Sequence, residues 1–137
     1  MRFNFQQFTV FALQAYQHVK CSTRTCYGIT YTPSVYSIDD MLQVFAWYFQ
    51  TFESSTGRVH PNLRTPQIAK IIEVMPACEL SDANHIGLNP DDYKALIEQH
   101  FKTAYNVGRG GCDYNINHFF SGDIRALRYY ETAKGDY

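Results

Sequence analysis

The chain reads as an all-α protein: a bundle of five to six short helices over residues 1–137, with a small β-hairpin accommodated near residues 27–36. Three observations carry that expectation. Apolar residues recur at i, i+3, i+4 and i+7 in several windows, the spacing that lines one helical face. Helix start signals stand ahead of those windows, at Ser37 with Asp39 and Asp40, at Thr65-Pro66, and at Asn89-Pro90-Asp91-Asp92. The longest early break in the helical period, residues 20–36, is rich in Thr, Ser and Tyr and includes Gly28 and Pro33, which favour turns and strands.

Taken in order, residues 5–19 place Phe8, Phe11, Ala12, Ala15, Tyr16 and Val19 on one stripe, with most glutamines elsewhere. After Ser37, the residues Ile38, Met41, Leu42, Phe45, Phe49 and Phe52 form the cleanest stripe. Val44, Trp47 and Tyr48 add a second apolar surface, which buries this helix on both sides or turns one side toward a partner. Ser54-Ser55-Thr56-Gly57 stops it. Past Thr65-Pro66 the face is Ile68, Ile71, Ile72 and Met75, and Pro76 ends it. Residues 77–88 read as irregular. Tyr93, Leu96, Ile97, His100, Phe101 and Ala104 line a further helix through about Tyr105, with His100 read as a satisfied core histidine. Gly108 through Gly111 terminates it. In the last segment Ile116, Phe119 or Phe120, Ile124, Leu127 and Tyr130 or Glu131 keep helical spacing, with Ser121 as the expected cap of the terminal helix.

Composition narrows the class. At 137 residues the chain is about one domain; 45% hydrophobic and 18% charged residues are a globular balance rather than a disordered one. Net charge is −1, which gives no long-range attraction for nucleic acid or anionic membrane. The charge is uneven. Residues 1–70 hold Arg2, Lys20, Arg24, Arg58, Arg64 and Lys70 against Asp39, Asp40 and Glu53, and acids outnumber bases thereafter. No long apolar run suggests a leader or a membrane span, so the expected setting is the cytoplasm, with Cys21, Cys26, Cys78 and Cys112 reduced.

No window presents a complete catalytic or metal motif, and neither a metal nor a cofactor is expected. Gly108-Arg109-Gly110-Gly111 lacks the Lys-Ser/Thr ending of a phosphate-binding loop and reads as a helix stop. Cys78, Asp82 and His85 lack the short ligand pairs that preorganise zinc. His60, held extended before Pro61, has no orienting acid near it in sequence and reads as structural or solvated. Cys112 with His118 allows a small Cys/His hydrolase only as a third choice, because nothing in the sequence shows that the two meet. A helix-turn-helix from residues 66–75 and 90–104 is rejected: the connection is too long, and the second helix opens on two acids.

Two side-chain sets point instead to binding. Arg125 and Arg128 lie three apart and share a helix face; with Arg109, His118 and Tyr129 they make a partner-contacting surface on the expected outward side of the terminal helix. Lys20, Arg24, Tyr27 and Tyr31 interleave cations and aromatic rings, a mixture that can stack bases while holding phosphates. That set supports direct DNA or RNA binding as the alternative.

One likeness sits on these residues. The pattern Asp92-Tyr93, Ala95-Leu96-Ile97 and Phe101-Lys102-Thr103, then Cys112-Asp113-Tyr114-Asn115-Ile116-Asn117-His118-Phe119 and Ser121-Gly122-Asp123-Ile124-Arg125-Ala126-Leu127-Arg128-Tyr129-Tyr130-Glu131, resembles short uncharacterised helical proteins of phages, prophages and conjugative elements. Thr56-Gly57-Arg58-Val59-His60-Pro61 also fits, so the resemblance spans the C-terminal two thirds. It implies an accessory role in a mobile element, either in replication and DNA handling or in inhibiting a host defence system such as CRISPR-Cas. It transfers no catalytic residue. The expectation is therefore a non-enzymatic binding protein that contacts a protein or nucleoprotein complex.

Overall fold

A computed structural model describes residues 4–79, 85–105 and 113–133. Helix accounts for 61% of the structure, as six helices packed together with two small antiparallel hairpins. In order these are α1 (Phe5–Cys21), β1 (Arg24–Cys26), β2 (Ile29–Tyr31), α2 (Ile38–Thr56), α3 (Thr65–Val74), β3 (Ala77–Glu79), β4 (His85–Gly87), α4 (Asp92–Lys102), α5 (Ile116–Phe119) and α6 (Ile124–Ala133).

The start and stop signals act as local chemistry dictates. Asn4 Oδ1 accepts from the Gln6 and Gln7 amides at the head of α1, and Ser37 Oγ accepts from the Asp40 amide at the head of α2. Gly57 takes the left-handed conformation (φ 71°) that closes α2. At α3 the Arg64 amide donates to Gln67 Oε1, so Arg64 rather than Thr65 is the flanking residue. At α4 the Asn89 amide donates to Asp92 Oδ2, placing a carboxylate in the first turn. Ser121 does not cap α6. Its hydroxyl donates back to His118 O and closes α5, and α6 starts only at Ile124.

The core forms where the stripes meet. α1 packs on α3 and α2, α2 on α4, and α4 on α6. Phe8 sits edge-on to Phe45 and Phe49, with ring centroids 4.7 and 5.0 Å apart. Val44, Phe45 and Tyr48 are all fully buried, so residues of both apolar surfaces of α2 pack inside the protein, while Trp47 is half-buried and Ile38 is exposed. Tyr48 carries its hydroxyl into that core and donates to Tyr114 O at 2.5 Å.

Two local expectations change. The first hairpin pairs Arg24 with Tyr31 and Cys26 with Ile29, earlier than residues 27–36; residues 32–37 form no strand. Residues 77–88 are not irregular throughout, because β3 and β4 pair antiparallel with Ala77 opposite Gly87. Three-residue strands are too short to show an alternating pattern, which is why this second hairpin leaves no periodic trace in the sequence.

Candidate interaction surface: the β1–β2 hairpin and the groove beneath it

The last helix is turned about its axis relative to the sequence expectation. Arg125 and Arg128 were expected outside, but they are only 6% and 7% exposed; Leu127, expected inside, is 42% exposed. Hydrogen bonding explains the inversion. The last carbonyls of a helix have no partners within it, and Pro76 follows α3 closely. Arg125 Nη1 donates to Val74 O at 2.8 Å and to the Tyr93 hydroxyl at 2.8 Å, and the guanidinium lies 4.8 Å from the Phe120 ring centroid. A cation there also meets the negative end of α3. The Tyr93 hydroxyl in turn donates to Met75 O at 2.6 Å, and Tyr36 donates to Leu88 O at 2.5 Å. Burial pushes the Tyr93 hydroxyl up to about 12, against the pull of Arg125, so it stays a neutral relay. Burial likewise raises Tyr36, reinforced by Tyr93 and Asp92.

Arg128 serves a second buried network. Its Nη1 donates to the Tyr105 hydroxyl at 3.0 Å, and that hydroxyl lies within hydrogen-bonding distance of His100 Nδ1, at 2.7 Å. Arg128 Nε lies 2.7 Å from Glu131 Oε1, off the hydrogen-bonding line, as a charge contact. His100 Nε2 is buried without a hydrogen-bond partner among the described residues. Burial first, and then His118 and Arg128, hold His100 down to about 3. His60 is also structural: its Nε2 accepts from the Ile116 amide at 2.9 Å and Nδ1 donates to Pro61 O at 2.8 Å. Burial lowers its pKa. It therefore clamps the loop after α2 to the head of α5.

Of the other residues assigned to that partner surface, Tyr129 and His118 are half-buried, with His118 packed 4.9 Å from the Tyr105 ring. Arg109 lies outside the described residues, as do Cys112 of the Cys112/His118 pair and the Gly108–Gly111 turn. The expected outward face is thus corrected to an inward one for both arginines. Asp82 and the His85 side chain also lie outside the described residues, and no group of three potential metal ligands occurs among those described.

The second set is solvent-facing. Tyr27 and Gly28 form a two-residue loop with φ of 52° and 78°, the left-handed pair that matches the twist of a tight hairpin. Tyr27 is 100% exposed, Ile29 68% and Tyr31 49%. Lys20 is exposed, with Nζ 5.9 Å from the Tyr16 ring centroid. Arg24 forms an ion pair with Glu73 on α3, which ties the hairpin to the helix and occupies one of the two cations assigned to phosphate.

Between hairpin and bundle runs an open groove of about 720 Å³. Tyr31 and Ser34 form one wall, Pro76, Ala77 and Cys78 another, and Glu73, Phe120 and Arg125 also line it. Sequence pattern alone brings none of these together. Ile29 was legible only as a hairpin residue and Glu73 carried no signal, because it belongs to no motif, and the groove arises from residues over 90 positions apart.

None of the helices among the described residues is long and apolar enough to cross a membrane. No family model, curated protein or solved structure matches the chain.

Proposed function

We propose that this chain is a non-enzymatic accessory binding protein of a mobile genetic element, and that it contacts a protein or nucleoprotein complex through the β1–β2 hairpin. The observation that carries this is the tip of the hairpin. A two-stranded hairpin is marginal in water by itself. Here it exposes Tyr27, Ile29 and Tyr31 instead of burying them. Tyr27 also holds a left-handed conformation that Asn or Gly would adopt at lower cost. Folding gains little from a tyrosine there, whereas a rigid aromatic group is a good anchor for a partner surface. The mobile-element setting, with replication, DNA handling or inhibition of a defence complex as the role, rests on the resemblance of the C-terminal two thirds.

A protein surface suits the hairpin better than naked nucleic acid, because Arg24 is neutralised by Glu73 and net charge is −1. Replacing Tyr27 with a photo-cross-linking phenylalanine derivative tests the reading in cells. A discrete protein adduct is expected at position 27 and none at exposed Glu98 on α4. A nuclease-sensitive adduct, together with a salt-dependent gel shift, would move the assignment to direct DNA or RNA binding. No adduct at all would end the hairpin reading.

A further inference from the structure

We infer that the groove between β2, β3 and the start of α6 takes an extended acidic peptide, one side-chain carboxylate of which lands on Arg125. The proposal deepens the hairpin reading, since it names the chemistry of the partner segment that the hairpin would hold.

Arg125 is the first reason. It is more than nine-tenths buried, yet it lines the groove. Only Nη1 is engaged, by Val74 O and the Tyr93 hydroxyl. The remaining guanidinium donors have no partner among the described residues, and none of them is sealed from solvent. Stacking on Phe120 and the two Nη1 bonds fix the plane of the fork. A fixed planar fork matches a carboxylate through two parallel hydrogen bonds, at little ordering cost.

The second reason is shape and charge. A groove of about 720 Å³ is far larger than one carboxylate requires. β2 and β3 each pair on one side only, with β1 and β4, and residues of both line the groove. An extended segment can hydrogen-bond to such an unpaired strand edge while its side chains fill flanking pockets. Tyr31 and Phe120 supply apolar walls. Glu73 carries negative charge into the same groove, paired to Arg24, so the site accommodates one anionic group and disfavours a polyanion. That separates an acidic peptide from a nucleic-acid backbone.

The test is an NMR titration of the full chain. The probe is a pool of capped peptides about six residues long, the length of an ordinary strand, with a central glutamate between β-branched neighbours. A matched glutamine pool, acetate and inorganic phosphate are the controls. Saturable shifts are expected at the Tyr31, Ser34 and Ala77 amides and at Arg125 Nε–H, with the glutamine pool at least about tenfold weaker. Ser34→Glu, at an exposed rim position, should weaken the glutamate pool by a similar factor and leave the urea midpoint unchanged. Equal titration by both pools overturns the proposal, as do shifts that spare Arg125. Phosphate reproducing every shift at the same concentration also overturns it, by reducing the site to simple anion binding. If Ser34→Glu leaves the position-27 adduct intact in cells, the groove falls and the hairpin reading stands. If position 27 gives no adduct while the glutamate pool still titrates onto Arg125, the groove holds and the hairpin tip alone is excluded.

Discussion

In α6 two arginines point inward and a leucine is 42% exposed; in the β1–β2 hairpin an isoleucine and two tyrosines point outward. The two regions invert the usual rule in opposite directions, and for different reasons. Buried arginine is tolerated because the α3 carboxyl end and the Tyr93 and Tyr105 hydroxyls offer it acceptors inside the protein. Exposed apolar groups on the hairpin have no such internal reason. The lesson is that a side chain's polarity does not decide its place; what decides it is whether the interior holds a partner for it. An inward cation is therefore explained first by the interior acceptors it serves, with only its remaining donors left for a ligand, and an outward, strained aromatic is read as a surface available for recognition.

The comparison predicts its largest effect in α6. Arg125→Met removes the donor to Val74 O and Tyr93 and strands both acceptors, at a cost of about 2–4 kcal/mol in urea unfolding. Arg125→Lys recovers only part of this, because an ammonium cannot stack on Phe120 and bridge two acceptors in one plane. If Arg125→Met unfolded at the wild-type midpoint, the helix would not be held by its buried arginine.

A smaller effect follows from the buried histidines. His60 and His100 have folded pKa values below the ordinary 6.5, His100 at about 3. Between the folded and unfolded values the unfolded chain binds the proton and the folded chain does not. Stability is therefore whole above pH 6.5 and falls as pH drops below it, by up to about 1.4 kcal/mol per pH unit for each histidine. Urea midpoints taken at pH 7.5 and pH 5 should show the loss. His100→Phe, which keeps an aromatic ring but removes the titrating nitrogen, should flatten the slope.

The smallest expected change sharpens the contrast. Tyr27→Asn relieves the left-handed strain and should alter stability by less than about 1 kcal/mol, in the stabilising direction. The same substitution should abolish capture of the partner. A loss of folding rather than of binding would mean that the hairpin belongs to the architecture after all.

How far the sequence reaches differs along the chain. α1, α2 and α4 were legible because their apolar stripes are long and their start or stop residues act where local chemistry places them: Ser37 and Gly57 cap α2, and Asp92 brings a carboxylate to the first turn of α4. The position of His100 in the core was legible too, though its bond to Tyr105 was not. The candidate surface was legible in part. Lys20, Arg24, Tyr27 and Tyr31 marked the hairpin region, but Arg24's partner Glu73 lies 49 positions away. The orientation of α6 was read inside out, because a helical stripe assumes that charges seek water, and its ten residues offer two overlapping faces.

The amino-acid sequence by itself determined a helical protein, the approximate place of its main helices and a turn-rich tyrosine segment, since these depend on spacing, capping and φ preferences within a few residues; α4, expected to run through about Tyr105, ends at Lys102. Only the tertiary structure decided that Arg125 and Arg128 turn inward, that His60 bridges to Ile116, and that a groove opens between two hairpins. Each of those depends on acceptors and surfaces supplied from distant parts of the chain, and pairing across such separations leaves no local pattern to read.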